Sequence, residues 1–223
     1  MSEVDNSSVE TADSTFSEES WEMISSFIEK LPEPVKLIVW GEAAACIGVS
    51  TVDLCRTIAD RFDILSFESR PEVENYRYHP IIGFMGIDKD GNEIDHRIRL
   101  MGHPQGVQIN SMIAAIQAAS FQGTMMEAKT RFQLKGLKKD VSFELFTAPN
   151  DEGGVTMASL LCNLTVLHPQ IRLMITMIND FPQLATQYSV YSLPHTIMNG
   201  RHHFQGVYDQ DKFLQLMAKA LKD

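Results

Sequence analysis

Hydrophobic positions along the chain alternate between short, nearly continuous runs and longer stretches with helical spacing. Residues 35–40 (VKLIVW) are almost entirely apolar and rich in branched side chains, which favours a buried strand. Between residues 21 and 31 the apolar positions recur every three or four residues, which predicts a helix with one apolar stripe. The same patterns predict further strands at 64–67, 80–87, 96–101, 141–146, 171–176, 196–198 and 203–204, and further helices at 49–61, 109–116, 157–167, 181–188 and 213–221.

Local start and turn signals separate these elements. Ser17 is a good helix N-cap, and the prolines that begin at Pro32 end the first helix. The pairs Asp90-Gly91 and Asn199-Gly200 are typical of tight turns between strands. The chain therefore divides into many short, well-bounded elements.

The order of the predicted elements repeats along the chain. Strand, helix, three further strands and a helix are followed by a second series of similar order, which indicates a duplicated α/β unit. We predict an acidic disordered tail at 1–16, a first unit at 17–122, a connecting helix or linker at 123–140 and a second unit at 141–223. Each unit is expected to have a central mixed sheet flanked by helices.

Composition and charge narrow the classes of function. The 223-residue chain carries a formal net charge of -10, and its first twenty residues contain no Lys or Arg. Such a chain repels phosphates, so we expect no nucleic-acid partner. It lacks an apolar run of about 20 residues and a signal-peptide pattern, so we expect a cytoplasmic protein without a membrane partner. Its three cysteines form no C-x-x-C pair.

Two proline-containing stretches resemble the signature of a known fold. Residues 191–200 (YSLPHTIMNG) are similar to the thioredoxin-fold pattern of an apolar residue, Pro and Thr before a strand and its Asn-Gly hairpin. In that fold the proline is cis and faces the redox site. The resemblance implies that His79-Pro80 and Leu193-Pro194 are both cis. It also implies that a cleft in each unit is lined by these prolines and, in the second unit, by His195 and Thr196.

Over residues 20–223 the chain resembles the tandem thioredoxin-fold family. That family comprises the glutaredoxin-like protein disulfide oxidoreductases and the N-terminal domain of the alkyl hydroperoxide reductase flavoprotein. Family-like motifs occur in order at 34–39, 99–106 (RLMGHPQG) and 143–149 (FELFTAP). The resemblance implies an α/β protein with two tandem thioredoxin-like folds. The family's His-Glu after the second motif is replaced by Val107-Gln108, which we expect to remove a polar feature between the units.

The resemblance also indicates where the family's redox chemistry is missing in the second unit. Active members carry C-x-x-C at a strand-to-helix turn, where the helix N-terminus lowers the pKa of the first thiol. Aligned on Pro149, the two cysteine positions are Asp151 and Gly154, and neither residue exchanges a disulfide. Asn150 or Asp151 is either a simple helix cap or, alternatively, a general acid/base or polar ligand site.

In the first unit the same alignment places Cys46 at the first cysteine position and Val49 at the second. Cys46 is either a nucleophile without its resolving partner or a small core residue, since residues 43–45 are all alanine. Cys55 is unable to resolve Cys46 on a straight helix, because nine residues span about 13.5 Å and a disulfide needs Cα atoms within about 7 Å. Cys162 lies among leucines and is predicted to be core.

Three histidines suggest a metal site as one interpretation. His202 and His203 follow the Asn-Gly turn, and His195 lies shortly before it. Adjacent strand residues point to opposite faces, which favours a solvated surface instead. We predict no metal ion and no cofactor.

Two functional hypotheses follow. The first is a protein-binding adaptor, or a non-catalytic subunit of a redox complex, that uses the thioredoxin-fold cleft. The second is a monothiol, glutaredoxin-like oxidoreductase that acts through Cys46. The first expects a protein partner, alone or within a redox complex, and the second expects glutathione or a protein thiol as the resolver. Both expect dithiol-disulfide oxidoreductase activity to be absent.

Overall fold

A computed structural model describes residues 16–41 and 49–222 of the chain. The strands in this part are β1 (Val35–Trp40), β2 (Leu65–Arg70), β3 (Ile81–Ile87), β4 (Glu93–Met101), β5 (Val141–Thr147), β6 (Ile171–Met177), β7 (His195–Met198) and β8 (His202–Gln205). The helices are α1 (Glu18–Ile28), α2 (Thr51–Arg61), α3 (Ile109–Phe121), α4 (Ala128–Lys135), α5 (Glu152–Val166), α6 (Gln183–Gln187) and α7 (Gln210–Ala220). The type and order of these helices and strands agree with the sequence prediction, although β2 and β4 are longer than predicted.

The eight described strands form one sheet in the order β2-β1-β3-β4-β6-β5-β7-β8. In each half the first strand pairs in parallel with the second and antiparallel with the third. The halves join where β4 pairs in parallel with β6, from Ile98 opposite Leu173 to Met101 opposite Thr176. The sequence predicts one sheet for each unit, whereas the structure has one shared sheet, because the edge strands of the two units pair with each other.

The two faces of this sheet are covered differently. Residues from α1, α2, α3, α4, α5 and α7 belong to one large core, which includes Ile24, Ile58, Ile116, Leu134, Leu161 and Phe213. Strand residues of the opposite face form a smaller core with α6 and its flanking segments, which includes Trp40, Ile81, Phe146, Leu184 and Ile197. In the first unit this second face is covered by the segment 71–80, which contains no helix, at the place in the element order where the second unit has α6. That face is therefore the less covered of the two.

Some sequence predictions fall at the limits of the described residues. Residues 1–15 of the predicted tail lie outside them, whereas Phe16 packs edge-to-face on Trp21 at 4.9 Å between ring centroids. Cys46 lies outside them as well, since residues 42–48 are not described. The segment predicted to connect the units contains α4. No helix in the described ranges is long and apolar enough to cross a membrane.

Candidate functional site

Both proline-containing clefts lie at the same end of the sheet. The peptide bonds His79-Pro80 and Leu193-Pro194 are both cis, and they immediately precede β3 and β7. These strands run antiparallel to β1 and β5, so that Ile81 lies opposite Trp40 and His195 lies opposite Phe146. Since β1, β4, β6 and β5 share one direction, each cis-proline loop stands beside the carboxyl end of a central strand.

Asp151 caps the start of α5 in the second cleft. Its Oδ1 accepts a 2.9 Å hydrogen bond from the Gly154 amide, so it is the N-cap of the helix. Its Oδ2 accepts a 3.0 Å hydrogen bond from the Thr147 hydroxyl. Both carboxylate oxygens are thus engaged in local structure, which is the capping role that the sequence allows.

The helix start in this cleft is packed too tightly for another side chain at either glycine. A Cβ at Gly154 would overlap the Thr147 hydroxyl and lie 2.7 Å from Oδ2 of Asp151. A Cβ at Gly153 would lie 2.8 Å from Val207 and 2.9 Å from Pro194. The position that the alignment assigns to a second cysteine therefore has no space for a thiol unless its neighbours move.

In the first cleft, α2 begins after both positions that the alignment assigns to cysteines. Ser50 is the N-cap of α2, and its hydroxyl accepts a 3.0 Å hydrogen bond from the Asp53 amide. By helix position, Ser50 and Asp53 therefore correspond to Asp151 and Gly154. Val49 precedes this cap and packs partly buried against the large core.

The two thiols in the described ranges are unsuited to thiolate chemistry. Cys55 in α2 and Cys162 in α5 are both free and fully buried. Burial strongly raises the pKa of both thiols. Cys162 is a core residue, as predicted. Neither described helix start at the clefts carries a cysteine.

The turn between β4 and α3 connects the two clefts. On one side, Nδ1 of His103 lies 2.9 Å from the Thr51 hydroxyl at the start of α2. Its amide donates a 2.7 Å hydrogen bond to Oδ2 of Asp180, and burial lowers the pKa of its imidazole. The turn thus packs against the first cleft and against the segment after β6.

On its other side the turn contacts the second cleft. The Val107 amide donates a 2.9 Å hydrogen bond to the Pro149 carbonyl. The buried Gln108 side-chain amide donates to the carbonyls of Ala148 and Asp151 at 2.9 and 2.8 Å. The expectation that Val107-Gln108 removes a polar feature here was wrong, because a glutamine amide supplies two donors and one acceptor to this junction.

Exposed apolar residues lie close to Pro194: Tyr191 and Leu193 in sequence, and Val207 across Gly153. Tyr191 is 85% exposed, Val207 is 53% exposed and Leu193 is 37% exposed. The Pro194 carbonyl accepts a 2.8 Å hydrogen bond from Gly206, while the main-chain N–H and C=O of Leu193 have no partner among the described residues. Sequence reasoning missed Val207; an apolar residue after a glycine in the loop that follows β8 is the signal that was available.

The histidines of β7 and β8 form a pair rather than a metal cluster. Nε2 of buried His195 lies 2.9 Å from Nδ1 of exposed His203. Burial, followed by the charge of His203, lowers the pKa of His195. His202 accepts a hydrogen bond from Arg201 instead. Thr196, the next residue of β7, is also buried. The described part of the chain contains no group of three or more residues suited to hold a metal ion.

Comparison with known proteins shows a likeness in structure. No family model and no curated protein matches the sequence. The structure is similar to the alkylhydroperoxide reductase protein AhpF from Enterococcus faecalis, with a TM-score of 0.79 and 18% identity over 90% of this chain and 98% of that one. It is similar to a protein disulfide oxidoreductase from Aeropyrum pernix, with a TM-score of 0.75 and 19% identity over 89% and 90%. These matches show that the chain has the predicted tandem thioredoxin-like fold.

Proposed function

We propose that this chain is a redox-degenerate protein of the disulfide oxidoreductase fold that binds a protein partner through its second cleft. It acts as an adaptor or as a non-catalytic subunit of a redox complex, in the cytoplasm. The observation that carries the proposal is the exposed apolar rim of Tyr191, Leu193 and Val207 around Pro194, next to a helix start capped by Asp151.

The chemistry of this rim suits an extended polypeptide. The unpaired N–H and C=O of Leu193 match the main chain of a strand that adds alongside the cis-proline loop. The apolar side chains would be removed from water by the same contact. Full burial of a large apolar side chain contributes roughly 1.5–3 kcal/mol, so two or three partly buried ones support a specific, moderate affinity.

The absence of thiols from the described helix starts supports binding over dithiol exchange. Exchange needs a thiolate nucleophile and a second thiol that releases the mixed disulfide. In the second cleft these positions are Asp151 and Gly154, and the described residues of the first cleft offer Ser50 and Asp53. The two structural neighbours are named for reductase and disulfide oxidoreductase functions. We infer that this chain kept their fold for recognition.

A capture experiment from extracts of the native host tests the proposal. The bait is the full chain, compared with Leu193→Glu, with Val207→Glu and with Phe132→Glu, an exposed apolar residue of α4 that is 78% exposed. We expect both cleft variants to lose a partner that wild type and Phe132→Glu retain. Equal capture by all four baits would contradict the assignment of the cleft.

A further variant separates this function from the monothiol alternative. Cys46→Ser is expected to capture the same partner, with or without dithiothreitol. Capture that requires Cys46 and is released by dithiothreitol would instead establish a monothiol oxidoreductase acting through that residue.

A further inference from the structure

A groove of about 720 Å³ lies on the less covered face of the sheet, where the two units join. Its floor consists of side chains from β4, β5 and β6, including Glu144 and Arg172. One wall is the segment 75–78 of the first unit, and the other is α6 with Tyr188. Its volume is typical of small-molecule sites, and its lining is contributed by both units.

Two of its four arginines are fixed within the protein. Arg99 donates to both carboxylate oxygens of Asp95 at 2.9 and 2.6 Å and to the Tyr76 hydroxyl at 3.0 Å. Arg97 donates to the main-chain carbonyls of Ile171 and His168. These guanidinium groups shape the groove and leave a ligand few free donors.

The other two arginines keep their donors available. Arg77 is exposed, and its guanidinium lies 5.4 Å from the centre of the Tyr78 ring. Arg172 is exposed on β6 and forms no salt bridge among the described residues; its charge acts on Glu144 at longer range. Both arginines line the same groove, where the charge of Arg77 acts on Tyr188 and the charge of Arg172 acts on Glu144.

Aromatic rings line the space between these charges. Tyr188 packs on Phe146 at 5.3 Å between ring centroids, and Tyr78 packs on Phe181 at 5.3 Å. Glu144 lies within electrostatic range of the Tyr188 hydroxyl and forms no salt bridge with a described residue. The lining thus combines four guanidinium groups, two carboxylates and several rings, which is a local excess of positive charge in a chain of net charge -10.

We propose that this groove binds a small organic anion that carries an aromatic ring. Arg172 and Arg77 bind the carboxylate or phosphate group, because guanidinium donors match its oxygens in a bidentate geometry. The ring of the ligand lies against Tyr78 and Tyr188. Glu144 opposes the anion by charge and so limits affinity. The site is separate from the apolar rim at Pro194 and does not depend on the function proposed for that rim.

Titration calorimetry on the full chain tests this site with defined probes. Phenyl phosphate and benzoate represent the two anion types, while phenol and inorganic phosphate each lack one half of the ligand. We expect one of the aromatic anions to bind at a single site, at least tenfold more tightly than phenol or inorganic phosphate. The preferred anion identifies the ligand as a phosphate or a carboxylate.

Three variants locate the binding. Arg172→Gln should weaken the preferred anion about tenfold, and Glu144→Gln should strengthen it severalfold, because one removes attraction and the other removes repulsion. Arg131→Gln, which removes an exposed charge on α4 outside the groove, should leave affinity unchanged. No binding of either aromatic anion, or equal affinity in all three variants, would overturn the proposal. Binding of an acidic peptide without either aromatic anion would also overturn it, since the groove would then be a protein contact.

Discussion

The side-chain amide of Gln108 donates a 2.8 Å hydrogen bond to the main-chain carbonyl of Asp151, across the boundary between the two units. The same amide reaches the Ala148 carbonyl, and its oxygen accepts a 2.7 Å hydrogen bond from the Ser111 hydroxyl. Gln108 and Ser111 are both fully buried, so these hydrogen bonds satisfy polar side chains that are removed from solvent. The start of α5 is therefore positioned in part by a residue of the first unit.

Replacing Gln108 by leucine should destabilise the protein by about 1–3 kcal/mol. The substitution removes one donor from each of the two carbonyls and leaves the buried Ser111 hydroxyl without its acceptor, and an unsatisfied buried group costs energy on that scale. Urea unfolding measures the change. Gln105→Leu is the control, since Gln105 is exposed and its side chain caps nothing. Equal stability of the two variants would show that water replaces the Gln108 amide.

Gly154→Ala should destabilise the protein by about 1–3 kcal/mol, although alanine is normally favoured over glycine in a helix. The added methyl would overlap the Thr147 hydroxyl, and overpacking at a well-packed site has this cost. Gly136→Ala is the matched control, because its Cβ would have no neighbour closer than 3.8 Å. Thermal unfolding distinguishes them. A stabilised Gly154→Ala would mean that the Thr147–Asp151 contact yields easily.

The fold was predictable because its information is local. Apolar periodicity, Ser17, the Asn-Gly turn and the two proline motifs specify elements and their order within a few residues of each other. The pairing of β4 with β6 was not predictable. Ile98 and Leu173 are apolar residues that would suit any buried strand, and neither residue specifies which strand its own strand pairs with.

The sites were predictable to different degrees. Asp151 and Pro194 could be located because their motifs are continuous in sequence. The anion groove was not, because Arg77, Glu144 and Arg172 belong to three separate segments and meet only after the units share one sheet. The alternation of polar residues along β5 and β6 indicates that one face of the sheet is less covered, but it does not predict that these three charged side chains line one groove.

Iodoacetamide should not label Cys55 or Cys162 in the native protein at neutral pH. Burial raises the pKa of both thiols and blocks access of the reagent. Peptide mapping before and after denaturation checks this. We also expect Cys46 to react more slowly than a free model thiol, given its alanine neighbours. Native labelling of Cys46 faster than the model thiol would support a working nucleophile.

The protein should not catalyse reduction of insulin disulfides by dithiothreitol above the uncatalysed rate. Release of a mixed disulfide needs a nearby resolving thiol, and Val49 and Gly154 supply none. Insulin precipitation is followed by turbidity, with Cys46→Ser alongside wild type. Strong turnover by wild type that disappears in Cys46→Ser would refute the adaptor function.

Glu144→Gln should stabilise the protein at pH 7.5, and the gain should shrink as the pH falls. Burial raises the pKa of Glu144, against weaker opposing effects of the nearby Tyr188 hydroxyl and the Arg172 charge. The folded state therefore binds this proton more tightly than the unfolded chain, whose glutamates titrate near about 4.3. The free-energy cost of keeping the ionised carboxylate in the folded protein is fully present above the raised pKa, and it disappears below about pH 4, where the group is protonated in both states.

Urea unfolding at several pH values measures this dependence. Glu74→Gln, which changes an exposed residue of the segment 71–80, is the control and should show no comparable gain at pH 7.5. A Glu144→Gln gain that stays constant down to pH 4 would contradict the predicted titration.

The parallel pairing of β4 with β6 gives the two cis-proline loops a fixed separation and orientation. Main-chain hydrogen bonds through Ile98, Leu173 and their neighbours span the junction, so the loops are not independent modules on a tether. A partner that offers two suitably spaced segments would meet the second loop at a high effective concentration once the first is engaged. Spacing between the segments of a divalent partner, rather than the strength of either contact, would then decide which partners are selected.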